Sequence, residues 1–118
     1  MRRAISTASR RLSTMLDKTQ RMNSLLDWYE SLLTANQKAI ADMHFREDFS
    51  LSEIAEQTGS SRSAVYDTIQ RVQKIMEDTE AKLHCVAKYE ARTRLYQTLR
   101  DLKIDAVDEI LDQLIENE

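Results

Sequence analysis

The stretch FSLSEIAEQTGSSRSAVYDTIQRV, residues 49–72, decides the fold of this chain. Ser50 and Glu53 stand at the spacing of a capping box, which predicts that a helix begins directly after Ser50. Gly59 takes a left-handed conformation without strain, so we expect this helix to end there. Ser61 then caps a second helix. A short helix, a glycine turn and a second helix are the layout of a helix-turn-helix.

The composition of the 118 residues predicts an all-α fold. The chain has one Gly and no Pro, with 42% apolar and 31% charged residues, whereas the turns of sheet proteins depend on Gly and Pro. This argues against a β-barrel, a dinucleotide-binding fold and a P-loop. The single cysteine, Cys85, allows no internal disulfide and indicates a reducing compartment, so we expect a cytoplasmic protein. No apolar run exceeds three residues, which argues against membrane insertion.

The segment after Ser61 is predicted to continue as a long helix. Its apolar positions recur in steps of four and three over three heptads, as in a helix packed along another helix. These positions are Val65, Ile69, Val72, Met76, Thr79, Leu83 and Val86. Leu95, Leu99 and Leu102 lie on a rotated seam, which predicts a helix break or a stutter between about residues 84 and 94.

A final amphipathic helix is predicted near the C-terminus. Its apolar positions are Ile104, Val107, Ile110, Leu111, Leu114 and Ile115. We expect a single helical domain over residues 15–118, with the helix-turn-helix at about 50–80 and a helical extension at about 81–118. The apolar stripes exceed what the short N-terminal helices can cover, so we expect a homodimer that forms through helices after residue 70.

Residues 1–14 differ from the rest of the chain in charge and in pattern. They carry four arginines and no acid, and they lack an apolar face. They are interpreted as a disordered basic leader, or as an extension before a misplaced start, with the true start at Met15. A transit peptide and a basic arm for nucleic acid are further interpretations. Deletion of this segment is expected to leave the thermal midpoint unchanged.

The chain offers little for catalysis. One of its two histidines, His84, stands beside Cys85, but adjacent residues of a helix point about 100° apart and do not face each other. No metal-binding motif of the HExxH or CxxC kind is present. We therefore predict no catalytic residue, no cofactor and no metal, and we expect that the protein is not an enzyme.

The second helix of the helix-turn-helix offers a first candidate binding surface. If Val65 points into the core, a set of polar residues points away from it or flanks that direction. This recognition face consists of Arg62, Ser63, Tyr66, Asp67, Gln70, Arg71 and Lys74. Residues 50–80 hold three cations against six acids, a net charge of −3, which is poor for phosphate binding. Two interpretations stay open: a face that reads DNA, or a motif kept as a fold unit.

A second candidate surface lies further along the chain. Residues 82–100 hold five cations against one acid, Glu90, a net charge of +4. On one helix, the residues that share an arc of about 120° are Lys82, Lys88, Tyr89, Arg92, Tyr96 and Arg100. The predicted binding residues of this arc form the basic stripe, which consists of Lys88, Tyr89, Arg92, Tyr96 and Arg100. Such a stripe suits a nucleic-acid backbone or an acidic partner. Alternatively, it is a solvated face that pairs with residues 101–118, whose net charge is −6.

Several segments resemble known families in their order and spacing. The segments are Leu33 and Thr34 with Gln37, then Phe49 to Glu56, then Ser61 and Arg62 with Ala64 to Asp67. They resemble region four of the sigma factors. More closely, they resemble the YlxM family, small bacterial proteins that are associated with the signal recognition particle.

The resemblance implies an all-helical cytoplasmic protein with a regulatory or accessory role in the signal recognition particle pathway. The implied partners are the particle's GTPase, its RNA, or both. The alternative is a transcriptional regulator that reads DNA with the helix beginning at Arg62. The unfavourable charge of residues 50–80 favours the first function, and the intact helix-turn-helix favours the second.

Overall fold

The computed structural model describes the backbone of residues 7–118 and the side chains of residues 17–118. No strand occurs in this part of the chain, and the all-α prediction is confirmed. In chain order the helices are α1 (Thr7–Tyr29), α2 (Ala35–Ala41), α3 (Leu51–Thr58), α4 (Arg62–Leu83), α5 (Cys85–Arg100) and α6 (Asp105–Glu116). A 3₁₀ turn, Glu30–Leu32, follows α1, and a π turn, Asp42–Arg46, follows α2.

The predicted leader, residues 1–14, falls largely outside this description. Residues 1–6 lie outside the described residues altogether. The backbone of residues 7–14 belongs to α1, while their side chains lie outside the described part. The interpretations of this segment therefore stay predictions.

The chain folds into two compact units that are divided between Leu83 and His84. In the first unit, α4 packs against α1, α2 and α3. The buried apolar residues of this unit are Met22, Leu25, Leu26, Tyr29, Ile40, Ala41, Phe45, Ile54, Val65, Ile69, Val72 and Met76. Along α1 and α4 they recur in steps of three and four, so each helix buries one face. Each unit is compact by itself. A single helical domain over residues 15–118 therefore stays a prediction.

The helix starts of the first unit agree with the sequence. The N–H of Glu53 donates to Ser50 Oγ at 3.1 Å, and the N–H of Ser50 donates to Glu53 Oε1 at 3.3 Å, which completes the predicted capping box. Thr34 and Gln37 form the same arrangement at the start of α2. These side chains satisfy backbone donors that the first turn of a helix leaves without partners.

The turn of the helix-turn-helix is built around Gly59. This residue has φ +67°, in the left-handed region, as the sequence predicts. The carbonyl of Ala55 accepts hydrogen bonds from the N–H groups of Gly59 and Ser60, which closes the end of α3. Ser61 Oγ then accepts from the N–H of Ala64 at 3.1 Å and caps α4. The short helix, the glycine turn and the second helix are confirmed.

Polar contacts join the edges of the first unit. The guanidinium of Arg46, in the π turn, reaches Asp27 at 2.9 Å, Glu30 at 2.7 Å and Asp42 at 2.6 Å. These hydrogen bonds, led by the one that Arg46 donates to Glu30, raise the pKa of Arg46. The hydrogen bond from Arg46 lowers the pKa of Glu30 from its ordinary value of 4.5. Near the end of α1, Trp28 is 41% exposed.

The second unit is a hairpin of α5 and α6. The two helices are joined by residues 101–104, in which Lys103 takes the left-handed conformation with φ +54°. Among the described side chains of this unit, Val86 and Leu111 are the buried ones. The predicted apolar stripes of α5 and α6 are present, but most of their residues are exposed.

The predicted break after α4 is confirmed and lies at His84. This residue has φ +57°, so the helix cannot pass through it. One part of the seam prediction is wrong: the heptads do not run through Leu83 to Val86 within one helix. Helix α4 ends at Leu83, which is 52% exposed, because the left-handed residue turns the chain before the next position of the seam.

Candidate nucleic-acid interface

Helix α4 presents the recognition face because its opposite side is buried. Val65 and Ile69 belong to the core of the first unit, as predicted. Every residue of the recognition face is exposed, and Tyr66 keeps 50% of its surface accessible. The structure therefore brings these seven residues together on one solvent-exposed surface, which begins directly after the glycine turn.

An open groove lies at the start of α4. Leu51 of α3 and Arg62, Ser63 and Tyr66 of α4 line this groove. It combines a guanidinium, a hydroxyl and an aromatic ring, which suit a phosphate, a polar base edge and a stacked base. Leu51 is not among the predicted binding residues, although an apolar residue directly after the cap of α3 was its signal.

The charge around the recognition face is less acidic than the sequence count indicates. Of the six acids in residues 50–80, three act inside the first unit. Glu77 forms an ion pair with Arg21 at 3.0 Å, and Asp78 forms one with Lys74 at 3.0 Å. Glu80 is buried and accepts a hydrogen bond from the Tyr29 hydroxyl at 2.5 Å. The net charge of −3 therefore overstates the repulsion that a phosphate meets at the start of α4.

The two arginines of the recognition face are available for a ligand. Among the side chains that the structure describes, none forms an ion pair with Arg62 or Arg71. Both lie in the first three turns of α4, where Asp67 is the one acidic residue. Lys74 differs from them, because its ammonium group is held by Asp78.

Most of the basic stripe of α5 contacts the acidic C-terminal segment, residues 101–118. Arg92 Nε donates to Glu118 Oε1 at 2.9 Å, and the Tyr96 hydroxyl donates to the same oxygen at 2.6 Å. Arg100 donates to Asp112 Oδ1 at 2.6 Å. These contacts favour the interpretation of the stripe as a face that pairs with the C-terminal segment.

The ionisation of these groups follows from the same contacts. The hydrogen bond to Glu118 raises the pKa of Arg92, and the one to Asp112 raises the pKa of Arg100. Hydrogen bonds from Tyr96 and then Arg92 lower the pKa of Glu118. The hydrogen bond to Glu118 raises the pKa of Tyr96. Each shift favours the paired form near neutral pH.

One cation of the basic stripe is not held in this way. Lys88 is exposed, and no described carboxylate lies within ion-pair distance of it. Tyr89 is also exposed, with the Arg92 guanidinium 6.0 Å from the centre of its ring. Lys88 therefore remains a cation that a ligand could reach without displacing an ion pair.

One protein-family model matches most of the chain. It covers residues 16–116 and is described as "UPF0122: Putative helix-turn-helix protein, YlxM / p13 like". The chain belongs to this family. The helix-turn-helix and the resemblance to YlxM proteins are thereby confirmed.

Individual UPF0122 proteins are similar over nearly their whole length. The UPF0122 protein BH2485 of Halalkalibacterium halodurans is 45% identical, over 87% of this chain and 95% of its own. A UPF0122 protein of Bacillus pumilus is 44% identical, over 86% of this chain and 94% of its own. One of Streptococcus pneumoniae is 42% identical, over 86% and 90%.

In this UPF0122 protein, the prediction that His84 and Cys85 lie in one helix is wrong. His84 lies between α4 and α5 in the left-handed conformation, and Cys85 begins α5. In residues 17–118, no group of three or more His, Cys, Asp and Glu side chains is arranged to hold a metal ion. Within the described helices, none has the length and hydropathy of a membrane span.

Proposed function

We propose that this protein is a regulatory accessory of the signal recognition particle that binds the particle's RNA through the recognition face of α4. The observation that carries the proposal is the pair Arg62 and Arg71, exposed and without ion pairs among the described side chains, on either side of Tyr66. The link to the particle is supported by membership in the YlxM-like family. The particle's GTPase is the protein partner that we propose, and the cytoplasm is the proposed location.

The physical basis is phosphate contact combined with stacking. Each arginine that meets a phosphate releases counterions, and this release supplies much of the affinity for a nucleic acid. The half-exposed ring of Tyr66 offers a surface for an unstacked base. Arg92 and Arg100 contribute less, because a phosphate must first displace Glu118 or Asp112. We therefore expect modest, salt-sensitive affinity centred on α4.

A transcriptional regulator that reads duplex DNA is the second candidate. The observation in its favour is the geometry at Gly59, which gives α3 and α4 the arrangement of a DNA-binding helix-turn-helix. In that function the first turns of α4 would enter the major groove, and Ser63 and Gln70 would face base edges.

The test compares binding of the particle's RNA and of random duplex DNA over a salt titration. Arg62→Ala and Arg71→Ala are each expected to weaken RNA binding and to lower the slope of log K against log salt by roughly 0.7. Lys82→Ala is the matched control, since it removes an exposed cation from the same helix about 16 Å beyond Arg71. We expect Lys82→Ala to bind like the unaltered protein.

Other outcomes separate the candidates. If Arg62→Ala abolishes sequence-specific duplex binding and RNA binding is absent, the protein is the DNA regulator. If the triple change Lys88→Ala, Arg92→Ala and Arg100→Ala removes RNA binding while Arg62→Ala does not, the α5 stripe is the interface. If no nucleic acid binds and the particle's GTPase is retained on the immobilised protein, the protein is a protein-binding accessory only.

A further inference from the structure

The groove at the start of α4 lies between two capped helix starts. Leu51, the first residue of α3, lines it on one side, and Arg62 and Tyr66 of α4 line it on the other. Its volume is about 560 Å³, in the range of sites that bind small molecules. The cap at Ser50 fixes the backbone before Leu51, and the cap at Ser61 fixes the backbone before Arg62. The groove is therefore formed before a ligand arrives, and binding orders few residues.

The position of Tyr66 places the groove beside the outward side of α4. Val65 is fully buried, so the side of α4 opposite to it points outwards. With about 100° of rotation per residue, Ser63 and Gln70 lie within about 40° of that direction, whereas Tyr66 lies about 80° from it. Leu51 lies on the same flank, because it lines the groove together with Tyr66. A duplex that meets the outward side would therefore hold its paired bases away from the groove.

The charge of the groove favours an anionic ligand. Of the described residues that line it, Arg62 is the one that carries a charge, and it forms no ion pair within residues 17–118. Arg62 and Tyr66 are four residues apart, so their side chains are neighbours on one face of α4. Asp67 is rotated about 100° from Tyr66 along the helix and does not line the groove. The groove thus matches a negative group that lies one helical turn from a flat ring, as the phosphate and base of a nucleotide do.

We infer that the groove binds one unpaired nucleotide of an RNA, with the base between Leu51 and Tyr66 and the phosphate on Arg62. The inference rests on the proposed function and names the class of RNA that the recognition face selects. A base in a duplex must leave its stack before it can lie on an aromatic ring, which costs free energy. The protein therefore prefers single-stranded RNA, and it tolerates different sequences because every base has a face that can stack.

The experiment uses the full chain and an oligouridylate of about twenty nucleotides, longer than the typical binding site for a single strand. One iodouridine is placed in the middle of this strand, because iodouracil cross-links under ultraviolet light to an aromatic side chain on which it stacks. The same strand annealed to oligoadenylate is the duplex probe. We expect the single strand to bind about tenfold or more tightly than the duplex. Mass spectrometry should locate its cross-link at Tyr66 and find no such cross-link with the duplex.

Variants of the groove separate the ring from the charge. Tyr66→Ala should abolish the cross-link at this position and weaken single-strand binding about fivefold or more, whereas Tyr66→Phe keeps a ring and should retain both. Arg62→Gln should lower the slope of log K against log salt by roughly 0.7 and keep the cross-link at saturating RNA. Leu51→Ala should weaken binding as well. Leu32→Ala is its matched control, since Leu32 is an exposed leucine elsewhere in the first unit, and it should bind like the unaltered protein.

The outcomes distinguish this inference from the proposed function. Equal affinity for the single strand and the duplex overturns the inference, as does unchanged single-strand binding by Tyr66→Ala. If the particle's RNA still binds and depends on Arg62 and Arg71, the proposed function stands and the unpaired base alone is wrong. If an oligodeoxyuridylate of the same length binds more tightly than the RNA strand, the occupant is unpaired DNA and the inference fails. If neither the RNA strand nor the particle's RNA binds, both proposals are wrong.

Discussion

The two units of the chain differ in how much of their apolar surface is buried. In the first unit, α1 and α4 bury whole faces against each other and against α2 and α3. In the hairpin, Val86 and Leu111 are the buried described residues, while the other leucines of α5 and α6 are exposed. Both units carry apolar residues at helical spacing. The spacing therefore predicts that a helix has an apolar face, whereas the number of neighbouring helices decides whether the same chain covers it.

The largest expected effect follows from this difference. Leu25→Ala removes a fully buried side chain from the first unit and should lower the free energy of unfolding by about 2–5 kcal/mol. Leu114→Ala removes a half-exposed side chain from the hairpin and should cost well under that at concentrations where the chain is monomeric. Denaturant titrations of both variants measure the two losses. Equal losses would contradict the observation that most apolar side chains of the hairpin are exposed.

The glycine turn of the first unit gives the next effect. Gly59→Val should lower the free energy of unfolding by about 1–2 kcal/mol, because a β-branched residue is strained in the left-handed conformation. Apart from residues 58–60, no described atom lies within 4 Å of the position that a Cβ at residue 59 would occupy, so backbone strain and not a clash causes the loss. Gly59→Asn is the control, since Asn tolerates this conformation. If the valine variant matches the asparagine variant in thermal melts, the turn is not strained.

Helix capping differs between the two units, and replacing a single cap residue should change the free energy of unfolding by about 1 kcal/mol. Ser50→Ala removes the cap of α3 and should cost about 1 kcal/mol. Helix α6 begins after Ile104, which provides no side-chain cap. Ile104→Ser should therefore stabilise the hairpin by a similar amount, because its hydroxyl can accept from an unpaired N–H of the first turn. Chemical denaturation of both variants should show shifts of opposite sign, and a destabilised Ile104→Ser variant would refute the expectation.

The smallest expected effect is a change in how the thermal midpoint depends on pH in the acid range. The hydrogen bond from Arg46 holds the pKa of Glu30 below 4.5 in the folded protein, so the unfolded chain binds more protons in this range. The stabilisation is complete above about pH 5 and is lost as the pH falls through the lowered pKa. Glu30→Gln should make the thermal midpoint fall less steeply between about pH 5 and pH 3. Glu56→Gln changes an exposed carboxylate without a described ion pair and should leave the slope as it is.

Local sequence signals predicted much of the first unit. The capping box at Ser50, the glycine at residue 59 and the cap at Ser61 each act over a few residues, so their meaning does not depend on the rest of the fold. The recognition face also followed from helical spacing once Val65 was taken as buried. The charge around the recognition face did not follow from the spacing, because the ion pair between Glu77 and Arg21 depends on how α1 packs against α4.

Other features lay beyond the sequence. Asp48, His84 and Lys103 take left-handed conformations although none of them is glycine. Their residue types do not by themselves indicate this conformation, as a glycine would. The π turn that buries Phe45 while His44 stays half-exposed also has no local signal. The basic stripe was found from spacing, but only the packing of α5 on α6 shows that Glu118 and Asp112 hold its arginines.

The position of Trp28 has a practical consequence for spectroscopy. It is the only tryptophan of the chain and belongs to α1. Its fluorescence emission therefore follows the unfolding of the first unit, whereas the ellipticity at 222 nm sums the helices of both units. Coincident curves would indicate one cooperative transition, and separated curves would indicate two. The native indole thus serves as an optical reporter for the first unit, with no label attached.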